Sequence, residues 1–155
     1  MSASLIFDRA WIAERIPHAG SMCLLDGVES YDEAGIRCRA SSHRDATNPL
    51  RHHGRLGAAI GVEYAAQAMA VHGAILQPPA TRPSVGFLAS VRGVELRVDR
   101  LDTIEAPLHI LAERLSGNDT TILYRFDVCA DGRTLLRGRA AVIMTPDALN
   151  PREAA

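Results

Sequence analysis

Apolar and polar positions alternate along most of this chain, and in one central stretch the alternation gives way to a continuous apolar run. Met22 to Tyr31 and Ile36 to Ser42 alternate or run apolar, as half-buried or buried strands do, and Asp32, Glu33, Ala34 and Gly35 between them are turn formers. Four later segments carry the same period with β-branched enrichment: Val85 to Val98, Ala106 to Leu115, Thr121 to Cys129 and Thr134 to Met144. Asp131-Gly132 predicts a two-residue type I′ hairpin, and Gly117-Asn118-Asp119 a second hairpin turn. The central run, Ala58 to Leu76, is rich in Ala and Met and ends at Gln77-Pro78-Pro79, so it predicts a long helix. A short helix is expected over Asp8 to Ile16, with Asp8 as N-cap, Trp11, Ile12 and Ile16 on one face, and Pro17 as its stop. The order is short helix, two strands, long helix, four strands. Without βαβ alternation the fold class is α+β, an antiparallel sheet carrying one long helix.

Composition narrows the function. At 155 residues the chain suits one domain, 1–146, followed by a loose tail, 147–155, where the apolar pattern is lost. There are 17 arginines, no lysine and 18 acidic residues, for a net charge of −1, which argues against a polybasic nucleic-acid binder. No unbroken apolar run reaches the roughly 18 residues of a membrane span, and no basic-then-apolar leader opens the chain, so a cytoplasmic protein is expected. Cys23, Cys38 and Cys129 are widely spaced with no C-x-x-C pattern and are expected as buried thiols rather than disulfides or zinc ligands.

The central helix is almost apolar all round, and Glu63, Gln67 and His72 interrupt it. A carboxyl buried in such a helix is costly to ionise and makes a candidate general acid. The pattern equally fits a single solvent-facing strip. His52 and His53 lie just before the helix, with His43 further upstream. A loop histidine and a helix acid converging on one cleft would supply a base and an acid. There is no H-E-x-x-H, G-x-S-x-G, P-loop or dinucleotide fingerprint, so a metal site is not expected.

Two segments resemble a known family. Ile16-Pro17-His18-Ala19-Gly20-Ser21-Met22-Cys23-Leu24-Leu25-Asp26-Gly27-Val28 is similar to the opening motif of the 3-hydroxyacyl-acyl-carrier-protein dehydratases. Gly61-Val62-Glu63-Tyr64-Ala65-Ala66-Gln67-Ala68 is similar to their helix motif. His43-Arg44-Asp45, Asn48-Pro49-Leu50, Gly54-Arg55-Leu56 and the run from Glu63 to Ala74 resemble more closely a dehydratase-like subfamily found beside polyketide and aryl-polyene synthesis genes. The resemblance spans Ile16 to Met144 and implies the hotdog fold, a long helix wrapped by a curved antiparallel sheet. It also implies a homodimer, or a heterodimer with a hotdog paralogue, with active sites at the interface.

The resemblance implies a lyase of fatty-acid or polyketide type synthesis that removes water from a 3-hydroxyacyl thioester on an acyl carrier protein. No metal or organic cofactor, nucleic acid or membrane is implied. Glu63 would be the acid and His53, or else His52 or His43, the base, because the loop is shorter than the family's histidine loop. Backbone N–H groups near Gly57 would polarise the thioester carbonyl, Gln67 would hold Glu63 by a hydrogen bond, and His18 and Asn48 would border the substrate. Arg92, Arg97 and Arg100 would steer the acidic carrier protein. Two alternatives stand beside this: a non-catalytic or weakly active subunit paired with a catalytic dehydratase, and a hotdog thioesterase.

Overall fold

The structure, a computed structural model, describes residues 4–16, 20–77 and 84–146. The predicted tail 147–155, the helix stop at Pro17 and the candidate residue His18 lie outside the described residues.

The chain opens with β1 (Phe7–Asp8) and α1 (Arg9–Ala13). Asp8 caps α1 as the sequence predicts, its carboxylate accepting the Trp11 N–H at 2.9 Å. Next come β2 (Gly27–Tyr31) and β3 (Gly35–Ala40). Asp32 shapes their turn by accepting the N–H groups of Ala34 and Gly35, each at 2.9 Å. A 3-10 turn over Ala58–Ile60 leads into α2 (Gly61–Leu76), followed by β4 (Ser84–Leu96), β5 (Leu108–Gly117), β6 (Thr121–Ala130) and β7 (Arg133–Pro146). Asp131 and Gly132, at φ 54° and 75°, form the predicted I′ turn between β6 and β7.

The seven strands make one sheet in the order β1-β2-β3-β5-β6-β7-β4, with every neighbouring pair antiparallel. One long helix against an antiparallel sheet is the expected hotdog arrangement. The first predicted strand begins late: Gly20–Met22 is a 3-10 turn, and the ladder starts only at Gly27.

Strand alternation builds the core. Ile36, Cys38 and Ala40 of β3, Leu108, Ile110 and Ala112 of β5, and Tyr124, Phe126 and Val128 of β6 form one buried cluster with Tyr64, Ala65, Ala68 and Val71 of α2. Each large side chain buried there stabilises the fold by about 1.5–3 kcal/mol. By length and composition alone Ala58–Leu76 could cross a bilayer, but its packing into this cluster makes it a core helix. Gly61 sets how closely α2 approaches β7. A Cβ there would lie 2.5 Å from Leu136 Cδ2, and Leu136 is fully buried. The cysteines behave as core thiols: Cys23 and Cys38 are buried, and burial pushes the Cys38 thiol up to about 12.

Two histidines are structural pins. His72 of α2 is buried, with Nε2 donating to the Asp32 carbonyl and Nδ1 accepting from the Tyr124 hydroxyl, both at 2.8 Å. His43 is also buried, and its Nε2–H is shared between the carbonyls of Ile104 (2.9 Å) and Ala106 (3.1 Å). His43 therefore fastens the 104–106 segment and is not exposed as a loop base. Burial lowers the pKa of both imidazoles below the ordinary value of 6.5. The unfolded chain then binds more protons than the folded one once the pH falls below about 6.5, so stability is full above that pH and lost below it. Denaturant midpoints are expected to hold steady between about pH 8 and 7 and to fall on acidification toward about pH 5. A flat profile across that range would contradict the neutral pinned state.

Candidate active site

Glu63 lies in the first turn of α2 and is exposed in the single chain, not buried as an all-round apolar helix implies. The reason is geometric. Val62, Ala66, Ala70 and Gly73, spaced three or four apart, form a stripe that the chain's own core covers only in part, and Glu63 borders it. Gln67 and His72 face inward instead, so the three polar residues of the helix do not make one strip.

Gln67 does not hold Glu63. Its Oε1 accepts the Leu24 N–H at 2.8 Å and its Nε2 donates to the Met22 carbonyl at 2.6 Å. The amide thus satisfies backbone that would otherwise seek a strand partner, which is why the β2 ladder begins beyond this segment. Gln67→Leu leaves both backbone groups unpaired and is expected to cost about 1–3 kcal/mol by denaturant titration. A loss under about 0.5 kcal/mol would contradict this role.

Asn48 is buried as well. Its Nδ2 donates to the Ser42 carbonyl (2.9 Å) and the Tyr64 hydroxyl (3.2 Å), and its Oδ1 accepts the Leu50 N–H (2.9 Å). Ser42 Oγ lies 2.8 Å from the same Tyr64 hydroxyl. Asn48 therefore fixes the start of the loop to α2, and as a substrate contact it is already occupied on both ends of its amide.

The histidine loop is a tight hairpin. His52 N–H donates to the Arg55 carbonyl at 2.8 Å and Arg55 N–H returns the bond at 3.0 Å. His53 and Gly54 between them have φ of 51° and 73°, a type I′ turn in which a non-glycine residue takes the left-handed conformation. Both imidazoles are exposed, with ring centroids 4.2 Å apart and nearly edge to face.

Arg51 and Asp102, which the sequence analysis did not single out, clamp this hairpin. Arg51 donates to the carbonyls of Asp45 (2.8 Å), Gly54 (2.9 Å) and His43 (3.4 Å), and its guanidinium lies 3.9 Å from the Asp102 carboxylate. Asp102 also accepts the Leu56 N–H at 3.0 Å and pairs with Arg100. Hydrogen bonding from Arg100, joined by the Leu56 N–H, holds its carboxyl well below the usual carboxylate range. Nothing in the linear pattern connects Arg51 to Asp102; the backbone pairing of residues 56–58 with 99–101, which includes the Leu101 N–H to the Leu56 carbonyl (2.7 Å), brings them together.

Gly57 precedes the 3-10 turn that leads into α2 and is exposed, with open space where a Cβ would stand. The Ala58 N–H is taken by the Asp99 carbonyl at 3.1 Å, whereas the Gly57 N–H has no partner among the described residues. A free N–H at the head of a helix can polarise a carbonyl oxygen. Within the chain no hydrogen bond or ion pair joins Glu63 to His52 or His53 among the described residues, so the single chain holds the acid and the histidines as separate elements.

The dehydratase subunits of the ApeI:P heterocomplex from Xenorhabdus doucetiae include a chain that superposes with a TM-score of 0.78 at 22% identity, covering 92% of this chain and 93% of that one. A thioesterase from Haemophilus influenzae matches at a TM-score of 0.65 and 10% identity over 97% of this chain and 99% of its own. A thioesterase from Pseudomonas aeruginosa matches at 0.55 and 15% over 77% and 81%. These likenesses establish the hotdog fold. No curated protein sequence matches significantly. The profile of the ApeP-like family, described as ApeP dehydratase, matches residues 10–152, and the chain belongs to that family.

Proposed function

We propose that the chain dehydrates a 3-hydroxyacyl thioester carried by an acyl carrier protein, at a site completed by a second hotdog subunit. The observation that carries this reading is Glu63: the one acid of a largely apolar helix, exposed beside the half-buried stripe of Val62, Ala66, Ala70 and Gly73. The stripe is matched by a second open surface. Among the described residues β4 pairs only with β7, so a 13-residue edge strand keeps a free rim, with Leu88, Val94 and Leu96 exposed on it. Exposed apolar edges of that length invite another strand. A second copy, or a hotdog paralogue, pairing there would cover the stripe and enclose Glu63.

In the proposed reaction the His53 imidazole takes the α-proton of the substrate. The Gly57 N–H binds the thioester oxygen as enolate character develops, and the Glu63 carboxyl delivers a proton to the β-hydroxyl. The C–O bond breaks, water leaves and the α,β double bond forms.

The second reading, a weakly active subunit that supports a catalytic paralogue, is favoured by the short histidine hairpin. The Xenorhabdus relative, itself part of a heterocomplex, is consistent with it. One assay separates the two. Enoyl-thioester absorbance and loss of one water mass are followed on a 3-hydroxyacyl carrier-protein substrate, with the protein alone and mixed with its paralogue. Turnover by the protein alone supports the first reading. Silence alone with a rise on mixing supports the second, and release of free thiol points to a thioesterase.

A further inference from the structure

The outer face of the sheet carries an arginine row that the linear pattern does not reveal. Arg92 of β4 stands opposite Arg139 of β7, which stands opposite Arg125 of β6. Like charges facing each other across neighbouring strands destabilise a sheet. Arg125 is offset by Glu113 at 2.5 Å, but Arg92 and Arg139 have no acidic partner among the described residues. The two other arginines expected to steer a partner are spent internally, Arg97 on Glu95 at 3.5 Å and Arg100 on Asp102.

The row borders a groove of about 970 Å³ whose lining holds four arginines, Arg92, Arg125, Arg137 and Arg139, against two acids, Glu95 and Asp127, with Leu115 and Leu123 beside them. Leu115 and Leu123 are each 43% exposed, and Ile143, one register step beyond on β7, is 42% exposed. Unpaired cations beside exposed apolar side chains form a surface complementary to an acidic protein with apolar residues among its charges. A bare anion would have no use for the leucines.

We infer that this face, centred on Arg92 and Arg139, is where the acidic carrier protein docks, an inference that rests on the dehydratase reading. β4 links the surface to the site. The chain runs on from Arg92 to Asp99, whose carbonyl accepts the Ala58 N–H at the head of α2. The arginines hold the carrier by charge and the leucines by contact.

The test uses the full-length protein and its Arg92→Glu/Arg139→Glu variant, both of whose changed side chains are exposed. Binding of the host organism's holo acyl carrier protein is measured by fluorescence anisotropy at low and at 0.5 M salt (roughly a 4 Å screening length). Turnover is measured on a carrier-linked 3-hydroxyacyl thioester and on the same acyl group as a small N-acetylcysteamine thioester. The expected result is carrier binding that weakens about tenfold or more in the variant and with salt, a KM that rises only for the carrier-linked substrate, and unchanged turnover of the small thioester. Equal carrier binding by both proteins overturns the inference, as does no carrier binding by the native protein. If the native protein turns over neither substrate the dehydratase reading fails, and the binding comparison still decides the docking surface.

Discussion

Replacing Glu63 with alanine is expected to lower kcat for dehydration by about a hundredfold or more, about 2.7 kcal/mol of transition-state stabilisation. KM should move little, because the carboxyl is asked for a proton at the departing hydroxyl and not for substrate affinity. Stability should hardly change. The side chain is exposed and has no hydrogen-bond or ion-pair partner among the described residues, so its loss orphans nothing in the chain. Glu63→Gln sharpens the result: it keeps the shape and the hydrogen-bonding reach and removes only the transferable proton. Turnover in either variant within about threefold of native would remove Glu63 from the chemistry. The measurement is enoyl-thioester formation under saturating substrate, with thermal denaturation of the same samples beside it.

The second large effect concerns the base, and here the backbone dictates the choice of variant. His53 holds a φ of 51° at the tip of the hairpin. Alanine there would add backbone strain to the loss of the imidazole, and a fall in activity would have two causes. Asparagine tolerates the left-handed conformation and cannot act as the base, so His53→Asn isolates the chemistry. It is expected to reduce kcat by about a hundredfold, while His52→Asn, one residue earlier in the hairpin, should cost less than about fivefold. The reverse ranking would move the base to His52. Equal small losses from both would favour the supporting-subunit reading, in which the paralogue supplies the histidine.

Much of the fold was legible in the chain because its cues are local. The Asp8 cap and the Asp131-Gly132 turn each contain their own physical cause and stand where the pattern puts them, and the apolar run is helical to Leu76 as predicted, though its first three residues, Ala58–Ile60, form a 3-10 turn. The late start of β2 was not legible. It depends on Gln67, more than forty residues away, bonding the backbone of Met22 and Leu24. The candidate site was legible in residue types and hidden in their surroundings. Glu63 stands out as an acid in an apolar helix, yet its exposure depends on which face of the helix the core covers only in part. Gln67, Asn48 and His43 also stand out as polar residues near a site, and the structure ties all three into backbone. The Arg51–Asp102 clamp exists only through the pairing of two loop segments, and the Arg92–Arg139 pairing only through strand register, neither of which a single sequence displays.

The free rim of β4 can accommodate one neighbouring strand at a time. If a second copy and a paralogue both fit it, they exclude each other, and the population of each pair is set by relative abundance as much as by contact quality. At equal abundance a preference of about 1.4 kcal/mol gives a tenfold bias, and a tenfold excess of one chain erases it. Preparations made from this gene alone would then report on the self-paired form, and those made by balanced co-expression on the mixed one. Two laboratories assaying the same polypeptide could measure different activities, each correctly, because they had purified different assemblies.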